Sequence, residues 1–359
     1  MNIVFNLGSL EKGGAERVAS NLCNYLIENN EVSIITSIKS NNYYKLKEDI
    51  KLYNLDEGKP DKNLLKKNIS RLKKMNYLIR KIKPDIIVSF LPEPSYRILF
   101  LKIFNKNLKI IVSVRNDPKI EYKATINRLI MKILYPLADG FVFQTQEAKE
   151  YFSKKIQKKS AIIPNPINEE FICEPYNGER EKIIVTVGRL EEQKNHKMLI
   201  EAFSKLPKQF SEYRLIIYGE GSLRCKLEEQ IKELNLTKRV LLPGQVDNIK
   251  EKIYKASLFV LPSNYEGMPN ALMEAMSLGL PCISTDCPCG GAKFLIENQV
   301  NGILIKTKNM NEMKNTIEYM LKNEKERIRI GQNAIAIKEE LSPRKINKNW
   351  EDFIVSNIK

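Results

Sequence analysis

Histidine occurs once in this 359-residue chain, at position 196. Cysteine occurs six times without regular spacing, and no apolar run reaches the ~18 residues that a spanning helix needs. Each shortage excludes something. Irregular cysteines do not make a disulfide framework, and they fit a compartment where thiols stay reduced. Cys282, Cys287 and Cys289 lie close together, but His196 is remote and no second cysteine pair follows. They read as buried or loop thiols rather than metal ligands. The start, "MNIVFNLGSL", lacks the basic residues and cleavage site of a signal peptide and reads as a buried strand. The expected location is cytoplasmic.

What is present describes a globular protein. Hydrophobic residues make up 43% and charged residues 28%. The length exceeds one ordinary core, so two domains are expected. Net charge is +16 and uneven: residues 1–165 hold 30 Lys/Arg against 16 Asp/Glu, whereas the remainder is nearly balanced. That asymmetry points to an anionic partner for the first half only, either nucleic acid, a membrane surface or a phosphorylated acceptor. No basic motif interleaved with aromatics supports nucleic acid. The stretch "NLLKKNISRLKKMNYLIRKIKP", 63–84, places Leu65, Ile69, Leu72, Met75, Ile79 and Ile82 on one side of a helix and Lys66, Lys73, Lys74, Arg80 and Lys81 on the other. Two readings stay open: a helix packed on its sheet with a solvated basic face, or a peripheral, salt-sensitive membrane contact without insertion.

Short apolar runs alternate with amphipathic stretches. "NIVFNL", "EVSIITSI", "PDIIVSFL", "KIIVSV" and "GFVFQT" read as buried parallel strands in the first half. "KIIVTVGRL", "YRLIIYG", "VLLPG", "LFVLPS", "PCISTD" and "GILI" do so in the second. The order implies two doubly wound α/β domains, 1–165 and 166–340, divided near "IIPNPINEEF". A final amphipathic helix over 341–359 opens at Ser342 and Pro343.

Ligands in such sheets bind where strands end and helices begin. "NLGSLEKGGAERV" is glycine-rich but neither a dinucleotide fingerprint nor a P-loop. Gly13 and Gly14 either let amides approach a phosphate or simply form a tight turn. In "VTVGRLEEQKNH", Gly188 ends a strand and Arg189 and Lys194 follow, a pair that suits a diphosphate or a solvated loop. "YGEGSLR", with Gly219 and Gly221, could border a nucleoside. In "NYEGMPNALMEAMSLGLP", Pro269 is expected in the first helical turn, with the amides of Met268, Asn270 and Ala271 forming an anion site. Glu266 flanks that site and Glu274 rises from the second turn. Carboxylates beside an anion site make sense if they hold hydroxyl groups. A nucleotide-sugar supplies hydroxyls at both ends and phosphates between.

"GGAERV", "VGRLEEQKNH", "YGEGSLR" and "EGMPNALMEAMSLGLPCISTDCPCGG", in that order, resemble the family 4 glycosyltransferases of the GT-B fold, in the branch of bacterial enzymes that build surface polysaccharides. The resemblance covers nearly the whole chain, and its two glutamates eight apart are the specific element. It implies two Rossmann-like domains facing a cleft, an N-terminal acceptor domain, a C-terminal nucleotide-sugar domain, and a last helix crossing back to the first domain. By position, Glu266 would contact the donor sugar and Glu274 the ribose. Arg189 and Lys194 would hold the diphosphate, with the amides after Gly267 and the turn at Gly13 and Gly14 closing on it. Gly188 and Gly219, with 246–248 including Val246 and Asn248, would line the rest of the donor site. No cofactor is implied.

One departure matters. Many relatives carry a histidine in the first domain's strand-end loop, whereas that loop here reads "SVRNDP" and places Arg115, Asn116 and Asp117 on the acceptor side. With no histidine for a general base, retention through the departing phosphate oxygen is favoured over inversion. The absence of Asp-x-Asp, the usual metal anchor of the other nucleotide-sugar fold, implies no metal. The expected activity is retaining transfer of a hexose or N-acetylhexosamine from a UDP-sugar to a lipid-linked glycan. The alternatives are a GDP-sugar, mannosyl-type donor, or a catalytically idle subunit.

Overall fold

The computed structural model describes residues 1–11, 13–40, 44–56 and 63–358, apart from the side chain of Leu64. The chain forms two compact units: Met1–Pro166 together with Arg344–Lys359, and Ile167–Pro343.

The first unit is built on a seven-stranded parallel sheet, β1 (Asn2–Leu7), β2 (Glu31–Thr36), β3 (Lys51–Asn54), β4 (Ile86–Phe90), β5 (Ile110–Ser113), β6 (Gly140–Phe143) and β7 (Ser160–Ile162), in the order 3-2-1-4-5-6-7. The five inner strands are continuous apolar runs because helices cover both faces of a parallel sheet. β3 and β7 lie at the edges and were not expected from sequence. "KLYN" and "SAI" are short and only half-buried, so they carry little apolar signal. The helices used below are α1 (Gly14–Leu26), α2 (Leu64–Ile82), α3 (Pro92–Phe104) and α4 (Thr125–Leu134).

The second unit has a six-stranded parallel sheet, β8 (Glu181–Val187), β9 (Arg214–Tyr218), β10 (Val240–Gly244), β11 (Ala256–Leu261), β12 (Cys282–Asp286) and β13 (Ile303–Lys306), in the order 10-9-8-11-12-13. Each strand was legible as an apolar run. Its core includes Ile184, Leu199, Phe203, Leu215, Ile217, Leu258, Val260, Ile283 and Ile317. Two helices matter for the site, α5 (His196–Ser204) and α6 (Asn270–Ser277).

The last helix, α7 (Pro343–Ile358), begins at Pro343 as expected and belongs to the first unit. Its Trp350 is fully buried and stacks on Phe90 at 5.9 Å. The Arg115 guanidinium lies 4.9 Å from the Phe90 ring and 5.2 Å from that of Trp350. At Gly140 a Cβ would come within 2.7 Å of Asn357 Oδ1 and 3.1 Å of the Phe353 ring, so a larger residue at the start of β6 would oblige these α7 side chains to shift.

Candidate functional site

In the second sheet the order reverses between β8 and β11. Ligands of doubly wound sheets bind beyond the carboxyl ends at such a switch point. The loop after β8 carries Arg189 and Lys194, and the loop after β11 carries Glu266. Topology therefore brings Glu266 to the same sheet end as two residues that lie more than 70 positions earlier in the sequence.

Two glycines let the backbone of this end close up. Gly188 N–H donates to Tyr218 O at 2.9 Å. Gly219 has φ +143°, and a Cβ there would overlap the Gly188 carbonyl. Gly219 N–H in turn donates to Gly244 O at 2.9 Å, which places the loop with Val246 and Asn248 at the same end of the sheet. The stem of Lys194 folds against Gly188, where a Cβ would lie 3.0 Å from Cδ. His196, the first residue of α5, is buried behind this loop. Burial, and then the charge of Lys194, push its imidazole down to about 4, so it is neutral near pH 7.

Lys194 Nζ lies 2.5 Å from Glu266 Oε1, which also accepts from Ser263 Oγ at 2.6 Å. Gln193 Nε2 donates to Tyr265 O at 3.1 Å and reaches Glu266 Oε2 at 3.4 Å. Asn264 N–H donates to Gln193 O at 2.8 Å, and its side chain donates to Glu192 O at 2.7 Å. The β8 and β11 loops are thus laced together, and Glu266 is held by three donors from two loops. Lys194 spends its charge on this buried carboxylate. Arg189, by contrast, is exposed, and its Nη2 donates only to Gln193 Oε1 at 3.2 Å among the bonds described. Sequence reasoning missed Gln193 and Ser263. Nothing local marks a glutamine or serine whose partner is 73 or 3 residues away.

Pro269 corrects an expectation. It is the N-cap of α6 with ψ 95°, and Asn270 is the first helical residue. An extended ψ cannot continue a helix, and the Pro269 carbonyl instead accepts from Leu272 and Met273 N–H at 3.1 and 3.2 Å. The helix still starts beside Gly267 and Met268, with Ala271 in its first turn and Glu274 buried one turn further on. A third loop braces it: a Cβ at Gly291 would overlap the Gly267 carbonyl, and Glu266 N–H donates to Pro288 O at 3.4 Å. Cys287 is buried nearby, its thiol pushed up to about 12 by burial and then by Glu266, so it is an inert thiol.

In the first unit the expected residues do not form one group. Gly13 is the N-cap of α1 and Gly14 its first residue. The carboxylate of Glu16 folds over Gly13, and the Tyr44 hydroxyl donates to Gly13 O at 2.9 Å. Arg115 is buried, with Nη1 donating to Asn165 Oδ1 at 2.9 Å, while burial pushes its guanidinium down to about 9. Asn116 accepts from Asp117 N–H, and buried Asp117 caps the turn at Pro118–Glu121 through Lys119 N–H at 2.9 Å. Among the described residues no cluster of three or more His, Cys, Asp or Glu could hold a metal.

Comparison with known proteins agrees with this architecture. Residues 168–336 match the family described as glycosyl transferases group 1, and residues 12–171 match glycosyltransferase family 4. The chain is 30% identical, over 100% of its length and 96% of the other, to a Campylobacter jejuni protein named GalNAc-alpha-(1->4)-GalNAc-alpha-(1->3)-diNAcBac-PP-undecaprenol alpha-1,4-N-acetyl-D-galactosaminyltransferase. It is 26% identical to the amylovoran biosynthesis glycosyltransferase AmsD of Erwinia amylovora, over 97% of both chains. Anabaena HepE, solved with UDP and glucose, superimposes with a TM-score of 0.85 at 18% identity, over 99% of this chain and 100% of that one. The fold is GT-B, and the chain belongs to glycosyltransferase family 4.

Proposed function

We propose that this family 4 glycosyltransferase is a retaining hexosyl- or N-acetylhexosaminyltransferase, moving sugar from a UDP-sugar to a lipid-linked glycan in surface polysaccharide synthesis. The observation that carries the reading is Glu266, buried at the switch point and oriented by Ser263, Lys194 and Gln193. A carboxylate fixed from two loops is built to grip hydroxyls of a sugar at the reacting carbon. Glu274, on α6, would take the ribose hydroxyls. The amides opening α6 and the exposed Arg189 would meet the diphosphate. Gly188, Gly219, Val246 and Asn248 would border the base.

In the reaction the bond from the anomeric carbon to the diphosphate oxygen breaks, and the acceptor hydroxyl oxygen bonds to the same face. Its proton passes to the departing phosphate oxygen, so no protein base is required. His196, buried and neutral behind the loop, is unsuited to that role. Arg189 stabilises the leaving group, and no metal is assigned. The first unit would receive the acceptor, on the cytoplasmic side of the membrane, where the relatives' lipid-diphosphate substrates anchor in the bilayer. The name of the Campylobacter relative, which specifies an undecaprenol-linked acceptor, supports this acceptor class.

The test is incubation with a panel of UDP- and GDP-sugars, reading released nucleoside diphosphate with and without cell-lipid extract. Acceptor-stimulated release from an α-linked UDP-sugar is expected, with the α configuration, and so an equatorial anomeric proton, kept in the product. Release only from GDP-sugars, or a product of inverted configuration, would overturn donor or mechanism respectively.

A further inference from the structure

Helix α2 is split in its burial. Met75, Leu78 and Ile79, in its second half, are buried against the first unit. Leu65 and Ile69, on the same apolar stripe, are exposed at 75% and 53%. A helix simply packed on its sheet would cover the whole stripe. Helix α4 has the same peculiarity in stronger form. Met131 and Leu134 face inward, while Ile126, Leu129 and Ile133 recur at three- and four-residue spacing on the outer side. Ile126 and Ile133 are each 61% exposed. The end of α3 adds Phe100, Ile103 and Phe104, the two rings in edge contact at 5.6 Å. A groove of about 440 Å³ joins the three helices, lined by Leu72 from α2, Tyr96 and Phe100 from α3, and Ile130 and Ile133 from α4. Exposed apolar side chains grouped around one groove are the pattern of a docking site.

The polar residues around it identify the occupant. Neither α2 nor α4 contains an Asp or Glu. Exposed Lys66 and Lys73 on α2, Lys123 just before α4, and Arg128 and Lys132 on α4 rim the apolar stripes. Two such faces from a second copy would repel each other. Glu93 of α3 also lines the groove, but it is ion-paired with Arg71 and Arg97, so the rim is predominantly cationic. Apolar stripes with such a rim match the interfacial layer of an anionic bilayer, where side chains enter the acyl boundary and cations meet headgroups.

We propose that the outer face of α2, α3 and α4 seats the protein on an anionic lipid surface by insertion of Ile126, Leu129, Ile133, Phe100 and Phe104. The inference rests on the lipid-linked acceptor proposed above. It departs from a purely electrostatic, non-inserting contact through the basic side of α2.

The test is flotation of the full chain with phosphatidylcholine vesicles, with and without phosphatidylglycerol, at low and high salt. Wild type is expected to float with the anionic vesicles and to keep a bound fraction in high salt. The Ile126→Ser, Leu129→Ser, Ile133→Ser triple variant is expected to lose about a thousandfold in partition coefficient, since each apolar side chain is worth on the order of tenfold. Its thermal midpoint should stay near wild type, because these side chains are exposed. A Leu129→Trp variant should show emission quenched by brominated lipid, the direct sign of insertion. Flotation of the triple variant like wild type, unquenched Leu129→Trp emission, or a wild-type dimer that the triple variant dissolves would each overturn the proposal. Transfer to a short water-soluble acceptor separates the two readings. Its loss with intact flotation defeats the assigned activity alone, and its persistence without flotation defeats the docking face alone.

Discussion

Glu266 owes its position to partners in two loops, and its substitution separates orientation from charge. Glu266→Gln keeps the shape but leaves the Lys194 ammonium without its carboxylate. Transfer should fall mainly in kcat, with about 3 kcal/mol lost in stability as for other broken buried pairs. Glu274→Ala should instead weaken donor binding, read as a raised KM or a lost thermal shift with UDP. Equal kcat losses with unchanged donor affinity in both variants would refute the division of roles. Arg189→Ala should cost about a hundredfold in kcat if it meets the leaving group. Excess EDTA should leave wild-type transfer unchanged, and a loss restored by Mn²⁺ or Mg²⁺ would contradict the metal-free assignment. His196 offers a clean probe because it is the only histidine. Its folded value, about 4, lies below the ordinary 6.5, so the unfolded chain binds the extra proton first. Stability contributed by keeping the ring neutral is present above 6.5 and lost as pH falls towards 4. The single imidazole resonance should stay flat through 6.5, and a normal midpoint there would disprove its burial. Arg189 and Lys194 stood out in sequence as cations after a strand-end glycine, and Glu266 and Glu274 as two glutamates eight apart. The structure pairs Lys194 with Glu266, and the roles of all four are those proposed above. Gln193 did not stand out, since its contact with Glu266 comes from a fold-dependent meeting of loops. Nor did Ser263, since its contact depends on how a single irregular loop turns back on itself.

Among the elements, the inner strands could be read as apolar runs, and the edge strands β3 and β7 could not. An edge strand needs only one hydrogen-bonded neighbour and little apolar surface, so four residues such as "KLYN" suffice. The start of α6 was placed one residue early because proline is favoured at the first helical position, whereas here Pro269 sits one residue before it. Its exact setting depends on the glycine loop below. Gly291→Ala would force a methyl group into the Gly267 carbonyl and push the loop that carries Glu266 away from Lys194 and Gln193. The expected result is loss of donor-induced stabilisation in a protein that still folds, checked by a thermal shift with UDP. An unchanged shift would mean that this loop does not brace the donor site.

For the whole molecule, charge asymmetry was visible in composition, but its structural partner was not: the apolar side of α4 gave no reason in sequence to expect it outside the core. The return of α7 to the first unit was implied by family resemblance, and Trp350 is what fastens it. Trp350→Ala should destabilise that unit by about 3–5 kcal/mol. Calorimetry should show one of two transitions moving down while the donor-linked one stays. That fastening also sets an order of events during synthesis. The first unit is written in two pieces, and Trp350 is translated only after the entire second unit. Until then Phe90 lacks its stacking partner, and the nascent first domain waits, incomplete, while its neighbour is made. A gene fragment encoding residues 1–166 should therefore yield aggregated product, and supplying the missing helix as a separate peptide should rescue it.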